Sequence, residues 1–111
     1  MNKETTLSKM SESGVVAVIR APSAEVLIPL TEALLEGGVL SIEVTMSTPK
    51  AIDGIEKLSD RFGDQAIVGV GTVIDAATAS DAIRAGAQFV VSPVTDARII
   101  ETVIRHGKVM I

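Results

Sequence analysis

Five short runs of β-branched and small apolar residues recur along this chain, each preceded by a glycine, and that beat restricts the fold more than any other feature. The runs occupy residues 15–19, 41–45, 66–70, 88–92 and 108–111. Strands alternating with helical stretches at a spacing of roughly 20 to 25 residues call for consecutive βα units and a parallel sheet. The fifth run has barely begun at Ile111, so the pattern reads as an interrupted one.

The stretches between the runs carry helix signals. Residues 5–13 suit a short lead-in helix with Leu7 and Met10 on one side, and residues 14–111 then form one α/β unit. Ser23 is expected to cap a helix whose Val26, Leu27, Leu30, Ala33 and Leu34 face inward, closed by Gly37 and Gly38. Pro49 suits the first position of the next helix, where its missing N–H costs nothing, and Ile52, Ile55 and Leu58 give that helix a core stripe. Asp75 caps a third helix with a flat face of Ala76, Ala79, Ala82 and Ile83, and Thr95 or Asp96 caps a fourth that ends at Gly107.

Composition narrows the function classes. With 111 residues the chain has room for one domain, whereas a closed eight-stranded (β/α) barrel typically needs about 200. Phe62 and Phe89 are the only aromatic residues, so stacking on bases has no platform. The net charge is −4 and the basic residues are scattered, which argues against a nucleic-acid or anionic-membrane surface. The absence of cysteine excludes a thiolate nucleophile, a disulfide framework and a cysteine metal site. The amino-terminal residues lack the apolar core of a signal peptide, so a soluble cytoplasmic protein is expected.

In parallel α/β folds ligands bind beyond the carboxyl ends of the strands. That rule selects Arg20, Glu43, Thr45, Gly71, Thr72, Ser92 and Pro93. Glu43 stands out, because a carboxylate inside a strand that should be buried is expensive unless it is paired or hydrated. It is either a general acid/base with a raised pKa or the partner of Arg20 on the neighbouring strand. Arg20 could grip a carboxylate or phosphate with its planar fork, or extend into solvent at a strand end. The Gly69-Val70-Gly71-Thr72 stretch lacks the further glycine of a dinucleotide fingerprint and the lysine of a P-loop, which makes nucleotide binding improbable. His106 fits the last turn of a helix, where it would interact with the dipole. It has no second histidine with which to bind a metal.

Several of these segments, in order and spacing, resemble one family. They are residues 15–20 (VVAVIR), 37–39 (GGV), 42–49 (IEVTMSTP), 67–73 (IVGVGTV) and 85–93 (AGAQFVVSP). The resemblance is to the 2-keto-3-deoxy-6-phosphogluconate and 4-hydroxy-2-oxoglutarate aldolases, and it runs from residue 14 to the end. It implies the first four βα units of a (β/α)8 TIM barrel plus the start of strand 5, in a family of homotrimers that use no metal or organic cofactor. The implied chemistry is class I aldol cleavage through a lysine Schiff base, yielding pyruvate and glyceraldehyde 3-phosphate, or pyruvate and glyoxylate. By similarity Glu43 is the catalytic acid/base, while Arg20, Thr45, Thr72 and Pro93 belong to the substrate-binding set.

The family often has arginine where this chain has Ser47, which shifts the anion contact to Arg20 or implies a different substrate subset. The imine lysine of the family lies on strand 6, and this chain has no counterpart. Lys50, near a helix start, and Lys108, at the amino end of a strand, are expected to be surface groups. The chain by itself is therefore expected to be inactive. The alternative is a non-catalytic half-barrel that binds a small anion or assembles with another chain.

Overall fold

The computed structural model describes residues 1–111 as a five-stranded parallel sheet with its strands in chain order, β1 to β5. The strands are β1 (Val16–Ile19), β2 (Ser41–Thr45), β3 (Ile67–Gly71), β4 (Phe89–Val90) and β5 (Val109–Met110). A helix precedes β1 and one lies in each crossover: α1 (Lys3–Ser13), α2 (Leu27–Glu36), α3 (Ala51–Phe62), α4 (Ala76–Ala85) and α5 (Ala97–Arg105). Sequential parallel pairing joined by helices is the βα repeat expected from the sequence.

The alternation along each strand separates two faces. Ile42, Val44, Val68, Val70 and Val90 point toward the helices and join Leu27, Ile55, Leu58, Ala79, Ala82, Ile99 and Val103 in the main core. At about 25 cal/mol per Å2 of apolar surface, this face supplies most of the driving force for folding. Ser41, Glu43, Thr45, Gly69, Gly71 and Phe89 lie on the opposite, inner face by the same alternation. There a smaller cluster of Ile67, Phe89 and Val109 is covered at one end by Met1 and Met10.

Several element ends differ from the sequence expectation for local reasons. The lead-in helix starts at Lys3, because Asn2 accepts a hydrogen bond from the Thr5 N–H at 2.8 Å. Met10 packs inward, but Leu7 is exposed and Thr6 takes the buried position. Ser23 makes no capping bond; a short 3-10 turn, Ala24–Val26, follows it and α2 begins at Leu27. Leu27 and Thr31, one turn apart, are the buried pair of α2, leaving Val26, Leu30 and Ala33 exposed. Pro49 sits in a turn before α3, which starts at Ala51 after Lys50 in the left-handed region.

Asp75 and Asp96 do cap α4 and α5. The Thr78 N–H holds the Asp75 carboxyl below its usual range, and Arg98 does the same for Asp96. The strand ladder continues past β4 at both ends, with the Gln88 N–H donating to the Val68 C=O at 2.7 Å and the Val91 N–H to the Val70 C=O at 2.8 Å. No helix is long and apolar enough to cross a membrane.

Candidate active site

Arg20, Thr72 and Pro93 follow the carboxyl ends of β1, β3 and β4, and Glu43 is the middle residue of β2, two residues before its carboxyl end. Because the strands are parallel and adjacent, Arg20, Thr72 and Pro93 share one end of the sheet, with Glu43 one step of the strand alternation inside it. Glu43 is centred on the inner face, with Val18 beside it on β1 and Gly69 on β3. It is 7% exposed, and no group of the chain hydrogen-bonds its carboxylate.

Its neighbour explains how it fits. A methyl group built on Gly71 would collide with the Glu43 carboxyl, so the side chain lies directly over that glycine. Gly69 does the same for Phe89, whose ring would meet any Cβ placed there. The Gly69-Val70-Gly71 stretch therefore provides clearance for two large inner-face side chains.

Burial pushes the Glu43 pKa up, and the Arg20 guanidinium field opposes that rise in part. No ion pair joins the two residues. The chain's ion pairs are Arg61–Glu32, Arg84–Asp81 and Arg98–Asp96, all on the surface. Of the two sequence readings of Glu43, direct pairing with Arg20 is thus not what the structure holds. Arg20 itself is exposed.

Thr45 ends β2, two residues beyond Glu43, and its side chain is engaged by the backbone of the neighbouring strand. The residue is 1% exposed, and its hydroxyl donates to the Ile19 C=O at 3.0 Å. The Ser47 hydroxyl, 2.9 Å away, supplies the hydrogen that Thr45 Oγ1 accepts. Thr72 is exposed in the left-handed region with φ 62°, an uncommon conformation for a β-branched residue. The cause lies on either side of it: the Gly71 C=O accepts from the Met46 N–H at 3.0 Å, and the Val73 N–H donates to the Val91 C=O at 3.2 Å. With both flanking groups pinned, Thr72 is held outward in a strained turn of the kind that collects at functional sites. Ser92 braces the next loop by donating to the Val73 C=O at 2.6 Å, next to exposed Pro93.

The profile of the KDPG and KHG aldolases matches residues 6–111. The chain belongs to this aldolase family. Among its relatives, the 2-dehydro-3-deoxy-phosphogluconate aldolase of Treponema pallidum is 34% identical over 103 residues, which cover 93% of this chain and 49% of the relative. The KHG/KDPG aldolase of Escherichia coli is 37% identical over 91 residues, 82% of this chain and 42% of that protein. The KDPG aldolase of Legionella pneumophila, solved with pyruvate captured as a covalent carbinolamine, superposes with a TM-score of 0.75 at 36% identity, covering 86% of this chain and 45% of that one. The chain spans about half the length of the relatives it matches.

Within this aldolase-family chain no lysine reaches the inner face beside Glu43. Lys50 is the exposed residue preceding α3, and Lys57 lies on the outer side of that helix. Lys108 lies at the amino end of β5 and donates to Gln88 Oε1 at 3.0 Å, while Lys3 and Lys9 belong to α1. His106 ends α5, its ring 2.7 Å from the Thr102 C=O, as its helix-end position suggested. The clearance at Gly69 and Gly71 and the left-handed turn at Thr72 were missed at the sequence level, because both depend on which strands become neighbours.

Proposed function

We propose that this chain forms the acid/base half of a class I aldolase site, with Glu43 as the proton-transfer group. The observation that carries the reading is the Glu43 carboxyl itself: buried on the inner face in the middle of β2, without an ion pair, and pushed up in pKa. A raised carboxyl pKa brings the group closer to the pH at which it can both take and return a proton. Family membership supports the same reading.

In this proposal a keto acid forms an imine with a lysine supplied from outside these 111 residues. The protonated imine withdraws the electron pair of the breaking carbon–carbon bond while Glu43, through a water molecule, removes the proton of the adjacent hydroxyl. An aldehyde leaves, the enamine takes a proton back, and hydrolysis of the imine frees pyruvate. For 2-keto-3-deoxy-6-phosphogluconate the aldehyde is glyceraldehyde 3-phosphate, and for 4-hydroxy-2-oxoglutarate it is glyoxylate. Arg20 offers its guanidinium to the substrate anion, Thr72 a hydroxyl and a backbone amide to the carboxylate, and Pro93 lines the wall. A cytoplasmic location and trimeric assembly belong to the same proposal.

The chain alone should form no borohydride-trapped adduct with pyruvate. Mixed with a polypeptide carrying the remaining barrel units of the Escherichia coli relative, it should release pyruvate. Glu43→Gln should lower that turnover by about 100-fold or more, the usual scale of general acid/base catalysis. Equal turnover with Glu43→Gln overturns the assignment. A second reading, a non-catalytic half-barrel that assembles with another chain, draws on exposed Val15, Val16 and Val18 along the β1 edge, and association without turnover would favour it.

A further inference from the structure

The regular pairing of β1 with β2 ends at Ile19 and Val44, yet the backbone on both sides of the next residue, Arg20, is held. On one side the Ile19 C=O accepts from Thr45 Oγ1 at 3.0 Å. On the other the Ala21 N–H donates to Thr48 Oγ1 at 3.2 Å. One threonine acts as donor and the other as acceptor, so the two hydroxyls match the two free backbone groups in polarity. They are 1% and 2% exposed, and a turn bond from the Thr48 N–H to the Thr45 C=O at 3.0 Å ties them together. The hydroxyls thus extend the ladder by one step beyond the strand.

The geometry points to Thr45 and Thr48 as positioning residues that clamp the backbone around Arg20 and so fix where its guanidinium stands at the mouth of the site. This rests on the reading of Arg20 as the anion contact. A clamp is needed because Arg20 is exposed and makes no ion pair of its own, so nothing beyond its backbone sets the root of a long side chain. Threonine suits the task better than serine, since its branched Cβ restricts χ1 and keeps the hydroxyl aimed. Valine is nearly isosteric but would leave a buried carbonyl or amide without its partner. The exposed Ser47 hydroxyl, donating to Thr45, fixes the direction of the Thr45 hydroxyl hydrogen toward Ile19.

The clamp has a readout within this chain. Arg20 is the charged group whose field acts on Glu43, while β3, on its other side, presents Gly69 and Gly71 and no ionisable side chain. Carbon-detected NMR titration of the Glu43 carboxyl should show a higher midpoint in Arg20→Ala than in the unmodified chain. Thr48→Val should move the midpoint in the same direction, and Thr48→Ser should restore most of the original value. In the unmodified chain the Ala21 amide should be protected from hydrogen exchange although it lies past the end of β1.

An unchanged Glu43 midpoint in Thr48→Val, alongside a raised one in Arg20→Ala, overturns the clamp. So does an Ala21 amide that exchanges as fast as a solvent-exposed one, a measurement that stands even if the valine variant does not fold. The anion reading has its own test: inorganic phosphate should shift the Arg20 Nε resonance, and no shift counts against that reading while leaving the clamp to its own two measurements.

Discussion

On the helix-covered face of the sheet, Ile42, Val44, Val68, Val70 and Val90 are at most 2% exposed, whereas on the inner face Val16 and Val18 are 37% and 54% exposed beside a buried carboxylate. Both faces come from the same strands, with neighbouring residues in β2 assigned to opposite sides. The helix side is a close-packed hydrocarbon layer that stabilises the fold. The inner side accepts Ser41, Glu43 and two glycines, which contribute little to stability and leave room for chemistry. Within this small chain, stability and the candidate site are separated by one residue of register.

The difference can be tested with substitutions on each side. The largest effect is expected from Ile42→Ala on the helix side, a loss of about 2 to 5 kcal/mol because the cavity it leaves is enclosed. Urea denaturation measures it, and a loss as small as that of a surface site would break the distinction. Gly69→Ala on the inner side should cost about 1 to 3 kcal/mol, since the new methyl group meets the Phe89 ring. Shortening Phe89 in the same chain should recover part of that loss in a double-mutant cycle, and full additivity would show that the contact is not the cause.

Glu43→Gln should act in the opposite direction and by less. Burial raises the folded-state pKa, so the folded protein binds this proton more tightly than the unfolded chain does. Its contribution to stability is then fully present below the ordinary glutamate range and is lost as pH rises through the folded pKa. Removing the ionisable group should therefore raise Tm at neutral pH and leave it unchanged in acid, before other carboxylates dominate. A variant less stable than the parent at neutral pH would show that the carboxylate is stabilised by a partner. The smallest effect is expected from Val18→Thr, within about 0.5 kcal/mol, because this inner-face position already meets solvent. A large loss there would sharpen the comparison by revealing that the inner face is covered in solution.

Much of this was legible in the residues. Glycine-punctuated β-branched runs specify strands, and the Asp75 and Asp96 caps follow from side chains that reach amides two or three residues away. Boundaries were legible only where the deciding contact is local. Pro49 has the chemistry of a helix start, but Thr48 is held by the Ala21 amide, so the chain turns once more and the helix waits until Ala51. Val26, Leu30 and Ala33 match an apolar stripe, yet the packing of α2 on the sheet and on α3 buries Leu27 and Thr31 instead. For the site, the rule that ligands gather at strand ends selected Arg20, Glu43, Thr72 and Pro93 together. The same rule selected Thr45, and the structure adds that its hydroxyl also bonds the Ile19 C=O.

By itself the sequence determined the order and type of the elements, the parallel sheet and the presence of one costly carboxylate in β2, because these depend on period, propensity and residue chemistry along the chain. Tertiary structure alone decided that Glu43 rests on Gly71, that Phe89 rests on Gly69, that Thr72 is held in a left-handed turn, and that a threonine at the end of β2 and one in the turn after it grip the backbone around Arg20. Each of those depends on which residue lies across from which in a neighbouring strand or loop. That register is set by burying one whole face of the sheet, not by any signal local to the residues concerned.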